Sequence, residues 1–155
     1  MLFRSEILLE HGIERDSSIF PAERGHGGYE DFGSAQPSLL NCPAGKMKEF
    51  PISLGQVLGK NIVFSGGGYF RLMPFWMIRR LTSRSDYVMT YFHPRDFDPA
   101  QPRLNNLSMK RKFMSYVGLS SSHDKLERLL SDFKFMSLGQ AYESLDLKSL
   151  PKVKL

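Results

Sequence analysis

The chain has 155 residues, 41% of them hydrophobic and 24% charged. That length makes one domain or a large piece of one, able to bury about 68–70% of its unfolded surface and to build a core without covalent staples. The net charge of +5 favours anionic partners only weakly. Its basic residues are scattered, and Lys110-Arg111-Lys112 and Lys148–Lys154 are too sparse for a nucleic-acid site, so both read as solvated basic faces.

Cys42 is the only cysteine, which rules out an intrachain disulfide and a cysteine-type metal site. It suits a reducing, cytoplasmic compartment. Glu6 and Glu10 interrupt the apolar N-terminus, so it is not a signal peptide, and no apolar run is long enough to span a membrane. The sequence holds no internal repeat and no low-complexity tract.

In chain order, Met1–His11 reads as a helix with Phe3, Ile7 and Leu8 at helical spacing and Gly12 as its stop. Its uncapped start suggests a missing upstream segment. Gly12–Phe20 reads as a short strand with Asp16 at its end. That carboxylate either orients a catalytic group or pairs with an arginine, or it closes an Asx turn with the serines that follow. Pro21–Lys46, rich in glycine and proline, predicts no regular element. A connection of that length is functional or mobile, and His26, Tyr29 and Asp31 either line a polar cleft there or decorate the surface. Met47–Ile52 predicts an edge strand because of Pro51, Leu54–Leu58 one helical turn, and Ile62–Phe64 a short strand.

Ser65–Leu72, SGGGYFRL, joins three glycines to two aromatics and an arginine. Gly67 and Gly68 permit close approach of backbone to a ligand. Tyr69 offers a stacking ring and Arg71 a fork-shaped cation, the parts a sugar-binding site uses. The spacing is not that of a phosphate loop. The competing reading is a tight turn feeding a helix, with Tyr69 and Phe70 in the core. Pro74–Thr82 predicts a helix with Phe75, Ile78 and Leu81 inward, and Trp76 is expected in the core.

Tyr87–Phe92 is a run of bulky and β-branched residues and predicts a strand. His93 stands where it stops, biased to an extended backbone by Pro94. Arg95, Asp96 and Asp98 follow, with Pro99 and Pro102 stiffening the exit. Polar groups on a loop at a strand end are placed as an α/β enzyme places its chemistry; the alternative is a charged surface turn. Ser108–Val117 fits helix or strand. Ser121–Phe133 predicts the firmest helix, with His123 a solvated first-turn residue. Phe135 and Met136 suit a brief strand, Ser137 to Gln140 a capping box opening a helix to Leu145, and Lys148–Leu155 a loose basic tail. Alternating strands and helices indicate an α/β fold.

Taken together, GIERDSSIFP, EFPIS, SGGGYFRLMP, YFHPRDFDPAQPRL and KLERLLSDFKF cover most of the chain in one order. They resemble the C-terminal half of a NodB-type polysaccharide deacetylase, in the subgroup found with exopolysaccharide and O-antigen biosynthesis. GGGYFRL and YFHPRDFDPAQPRL are the specific segments. The resemblance implies an incomplete irregular (β/α) barrel over residues 1–147 and metal-dependent removal of N-acetyl groups from a polysaccharide. It implies a divalent metal, usually zinc, in the complete enzyme, held by an Asp and two His residues from the first part of the catalytic domain. The present sequence has no counterpart of that part, so no metal ligand is assigned to this chain, which is expected to be inactive alone. Asp16 matches the acidic residue that orients the site through an arginine. His93 matches the strand-end histidine that protonates the leaving amine, a role its near-neutral pKa suits. The expected partners are the polysaccharide and either a missing N-terminal half or a second copy of the chain. The alternative is a non-catalytic glycan-binding or assembly subunit that uses Tyr69, Arg71 and the 21–46 loop.

Overall fold

The computed structural model describes residues 2–22, 28–29, 32–146 and 148–154. His26 and Asp31 lie outside the described residues, as does the side chain of Phe3. The chain divides into two compact units, one of residues 1–53 and 136–155, the other of residues 54–135. The architecture is mixed α/β, and its two sheets do not close into a barrel. Among the described residues no helix is long and apolar enough to cross a membrane.

The first unit holds helix α1 (Leu2–Glu10) and strands β1 (Arg15–Asp16), β2 (Ser38–Cys42) and β3 (Gly45–Glu49). Helix α6 (Leu138–Ser144) and strand β6 (Lys152–Lys154) complete it. Helix α1 stops where the sequence predicts. Gly12 adopts φ +74°, and the Gly12 and Ile13 N–H groups donate to the carbonyls of Leu9 and Leu8, a Schellman closure.

The sheet order is β1-β3-β2-β6, with β2 antiparallel to β3 and the two outer pairs parallel. Strand β3 is therefore interior, not the expected edge; Pro51 lies beyond its end and removes no ladder bond. Strand β2 falls within the stretch where no element was expected. SLLNC is short and hemmed by Pro37 and Pro43, but Leu40 packs with Met47, Ile19 and Phe32, and Leu39, on the opposite face of the strand, is buried as well. The expected loose tail is also corrected. Lys152–Lys154 pairs with Leu39–Asn41, and Val153 packs on the core beneath. Phe135 and Met136 form no strand. Ser137 and Gln140 do form the predicted capping box of α6.

The second unit begins with a hairpin, β4 (Gly55–Val57) and β5 (Lys60–Ile62). Its turn residues Leu58 and Gly59 both have positive φ, +51° and +75°, as a type I′ turn demands. That turn replaces the helical turn expected over Leu54–Leu58. Four helices follow: α2 (Gly67–Leu72), α3 (Phe75–Ser83), α4 (Met109–Tyr116) and α5 (Leu119–Asp132). The core gathers Phe64, Phe70, Met73, Phe75, Ile78 and Leu129.

Trp76 departs from expectation. Phe75, Ile78 and Thr82 form the buried stripe of α3, and Trp76, one residue on and about 100° round the helix, is 63% exposed. Tyr87–Phe92 is not a strand either. A single parallel bridge, Gly66 to Tyr91, is its only ladder contact among the described residues.

Candidate functional site around His93

The glycine run is used for a backbone crossing. The Tyr91 N–H donates to the Ser65 carbonyl, 3.2 Å, and the Ser65 hydroxyl to the Met89 carbonyl, 2.7 Å. A Cβ on Gly66 would stand 2.0 Å from the Tyr91 carbonyl oxygen, so no side chain fits there. The close approach that glycine permits is to the chain's own Tyr91. Gly67 opens α2 with φ +55° and faces open space, and Gly68 lies against Arg71 and Met114.

This seam delivers Tyr91, Phe92 and His93 in fixed order. Phe92 is held edge-on between Phe70 and Phe97, at 4.8 Å and 5.2 Å between ring centres. His93 has the extended backbone its Pro94 neighbour requires (φ −114°, ψ 151°) and precedes a 3-10 turn, Pro94–Phe97. Its N–H donates to Asp96 Oδ2, 2.9 Å, and its carbonyl accepts from the Asp96 N–H, 2.8 Å. The ring itself is half exposed at the surface. Its Nε2 lies 3.0 Å from the Tyr91 hydroxyl and its Nδ1 3.7 Å from Asp96 Oδ2.

Asp96 is buried and braced from two sides. Ser122 Oγ donates to its backbone carbonyl, 2.6 Å. Arg71 Nε stands 3.2 Å from its Oδ1. That contact is Coulombic rather than a directed hydrogen bond, because the Nε–H does not aim at the carboxylate. Arg71 is only 6% exposed. Its Nη1 donates to the carbonyls of Ser115 and Val117 and its Nη2 to that of Met114. Burial holds its pKa below the ordinary value, with Asp96 opposing and Arg95 adding to the depression. The cation expected to meet a sugar is thus spent inside the protein, tying α2 to the end of α4 and to the turn after His93. Lys125 Nζ adds to the brace by donating to the carbonyls of Arg71 and Met73, 2.7 and 2.8 Å. Tyr69, also on α2, keeps an exposed ring.

Asp16 belongs to the other unit. There it pairs with an arginine and with the serines that follow. Its Oδ2 accepts from Arg4 Nη2, 2.9 Å, and from Ser18 Oγ, 2.6 Å, while its Oδ1 accepts from the Ser17 N–H, 2.9 Å; that bond reaches the next residue rather than two residues on, so it is not the expected Asx turn. Across the parallel β1–β3 pair its register partner is Glu49. Glu49 is fully buried; its Oε1 accepts from the Ile19 N–H, 2.9 Å, and among the described residues its Oε2 has no hydrogen-bond partner. Burial pushes the Glu49 carboxyl up to about 7; the Ile19 bond and Arg4 oppose this, and Asp16 adds to it.

Sequence reasoning singled out neither Glu49 nor Ser122. Glu49 follows Met47 and Lys48 as an ordinary strand residue, and only the parallel pairing places it beside Asp16. Ser122 reads as a helix polar residue; nothing local marks it as a donor to a distant carbonyl.

The donor set near His93 does not suit the zinc that the family resemblance implies. Of the Asp96 oxygens, one faces Arg71 and the other accepts from the His93 N–H. Asp98 Oδ1 accepts from the Ala100 N–H. Three converging ligands with an open position, as a catalytic zinc needs, are not offered there. The cluster His123, Asp124 and Glu127 lies fully exposed along α5 and has no such enclosure.

In the comparison with protein families, a family model described as "Domain of unknown function (DUF3473)" fits residues 17–143. No curated protein matches the chain, and no solved structure matches it. The family match spans the seam, the His93 turn, the Arg71–Asp96 pair, Asp16's neighbours and every helix from α2 to α5, and the chain belongs to the DUF3473 family.

Proposed function

We propose that this chain is the acid-bearing part of a polysaccharide deacetylase of NodB type. The DUF3473 family is associated with polysaccharide deacetylases. The observation that carries the reading is the contrast at His93. Its backbone is tied by Asp96, which a buried arginine and Ser122 hold in turn, while its imidazole stands at the surface. A side chain with a fixed root and a solvent-accessible ring is what proton donation to a bound group requires. In the proposed step the amide C–N bond of an N-acetyl sugar breaks after water has added to the carbonyl carbon. The departing nitrogen takes the proton carried by the His93 imidazolium, and acetate and a free amine result. A divalent metal held by a separate metal-binding segment would supply activation of the water. Asp16, held by Arg4, is assigned a positioning role.

The test is acetate release from an N-acetylated glycan by a complete enzyme that joins this chain to a metal-binding deacetylase segment. Replacing His93 by Ala should lower kcat about 10²–10⁴-fold and remove the alkaline limb of the pH–rate profile, with metal content unchanged. Full turnover with that limb intact would move the acid elsewhere. The glycan-binding alternative, as built on Arg71, loses its cation to the interior.

A further inference from the structure

Trp76 is the only tryptophan of the chain, and its ring stands out from α3. Two clefts meet at it. One, of about 470 Å³, lies between α3 and α5 and is lined by Phe75, Trp76, Arg79, Arg128, Ser131 and Asp132. The other, of about 290 Å³, is lined by Trp76, Arg79, Arg80, Ser83 and Arg84, which follow one face of α3. Both share the indole and Arg79, so together they form a track that runs past the ring.

The charges along this track are unequal. Arg79 is paired with Asp132, 2.8 Å. Arg128 lies over the Phe75 ring, 4.0 Å from its centre, which fixes the guanidinium without neutralising it. Among the described residues, Arg80, Arg84 and Arg128 have no carboxylate within ion-pair distance, which leaves three cations around one exposed aromatic face.

We infer that this track binds an anionic polysaccharide, with a pyranose ring stacked on Trp76 and the carboxylates of flanking uronic acid residues held by Arg80, Arg84 and Arg128. The C–H face of a pyranose is apolar and weakly electropositive, matching the negative face of the indole quadrupole. A guanidinium fork pairs with a carboxylate in two hydrogen bonds. Two clefts that share one ring fit a chain that runs past it rather than a compact ligand lodged in one pocket. Nucleic acid suits the track less well. Single strands stack successive bases on several rings within a positively charged groove, whereas here there is one ring. The inference stands whether or not His93 acts as an acid.

Tryptophan-selective fluorescence reports on this site alone. A short galacturonic acid oligosaccharide should change Trp76 emission saturably, and a neutral malto-oligosaccharide of equal length should bind far more weakly. By calorimetry, Trp76→Ala and the double variant Arg80→Ala/Arg84→Ala should each weaken binding about tenfold or more, as loss of an aromatic or arginine anchor does. These side chains are exposed, so the variants should fold as the parent does, which circular dichroism checks. No emission change, equal binding of the neutral oligosaccharide, or unchanged affinity in the variants would overturn the inference. So would tighter binding of a DNA oligonucleotide or of phosphatidylglycerol vesicles.

Discussion

Replacing Arg71 by Ala tests whether the His93 turn is held from inside. The substitution would leave the Asp96 carboxylate buried without its cation. It would also strip side-chain donors from the carbonyls of Met114, Ser115 and Val117. Breaking a buried pair by removing one partner costs about 3–5 kcal/mol, a large share of the roughly 5–15 kcal/mol that holds a typical domain together. The lost carbonyl bonds belong to the same network and are not simply additive. Arg71→Lys keeps the charge but cannot reach the carbonyls in a fork, so it should fall between parent and Ala variant. Urea unfolding followed by the emission of Trp76, which lies in the same unit, measures the loss. A loss below about 1 kcal/mol, the range of an exposed ion pair, would refute the buried clamp.

Glu49 supplies a second test. Its pKa rises from the ordinary 4.5 to about 7 in the fold, so the folded state holds the proton more tightly. The parent should therefore lose stability as pH rises from about 4.5 to about 7, by roughly 3 kcal/mol in all, and lose no more from this group above that. Glu49→Gln keeps the acceptor for the Ile19 N–H and should flatten the profile; an unchanged slope between those pH values would count against it. Gly118 has φ +69°, and a Cβ there would meet the Arg71 carbonyl oxygen at 2.1 Å. Gly118→Ala should therefore cost more than the roughly 1 kcal/mol typical of a point substitution, measured by the same unfolding assay. His93→Ala removes a half-exposed ring. It should shift stability by less than about 1 kcal/mol, so that any loss of turnover in the complete enzyme is chemical.

What the sequence made legible was local. Helix α5, the Ser137–Gln140 box and the Gly12 stop each depend on residues within a few positions of one another, and each lies close to its expected place. What escaped depended on distant partners. Tyr87–Phe92 has the side chains of a strand, but pairing is decided by a neighbour, and among the described residues a single bridge to Gly66 is its only ladder contact. Strand β2 looked like loop because its partners β3 and β6 were not visible from SLLNC alone. Arg71 and Trp76 were exchanged in character for different reasons. Trp76 lies one position off the stripe that Phe75 and Ile78 define, and its size alone suggested burial; Arg71 is drawn inward by carbonyls and a carboxylate far along the chain. His93 and Asp16 were legible as candidates through their flanking Pro94 and serines; the Arg71–Asp96 brace behind His93 was not.

The first unit has a consequence for synthesis. Its sheet is closed on one side by β6, which pairs with β2 across the whole of residues 54–135. On the ribosome those intervening residues emerge before β6 exists. The second unit is contiguous and has its own core, so it can fold while the nascent chain is still growing. During that interval the outer edge of β2 offers unpaired backbone groups to any strand that comes near. The correct neighbour arrives only after a long wait, and non-local pairing of this kind is slow to form. A pause in translation ahead of Lys152 would leave one unit finished and the β2 edge of the other open.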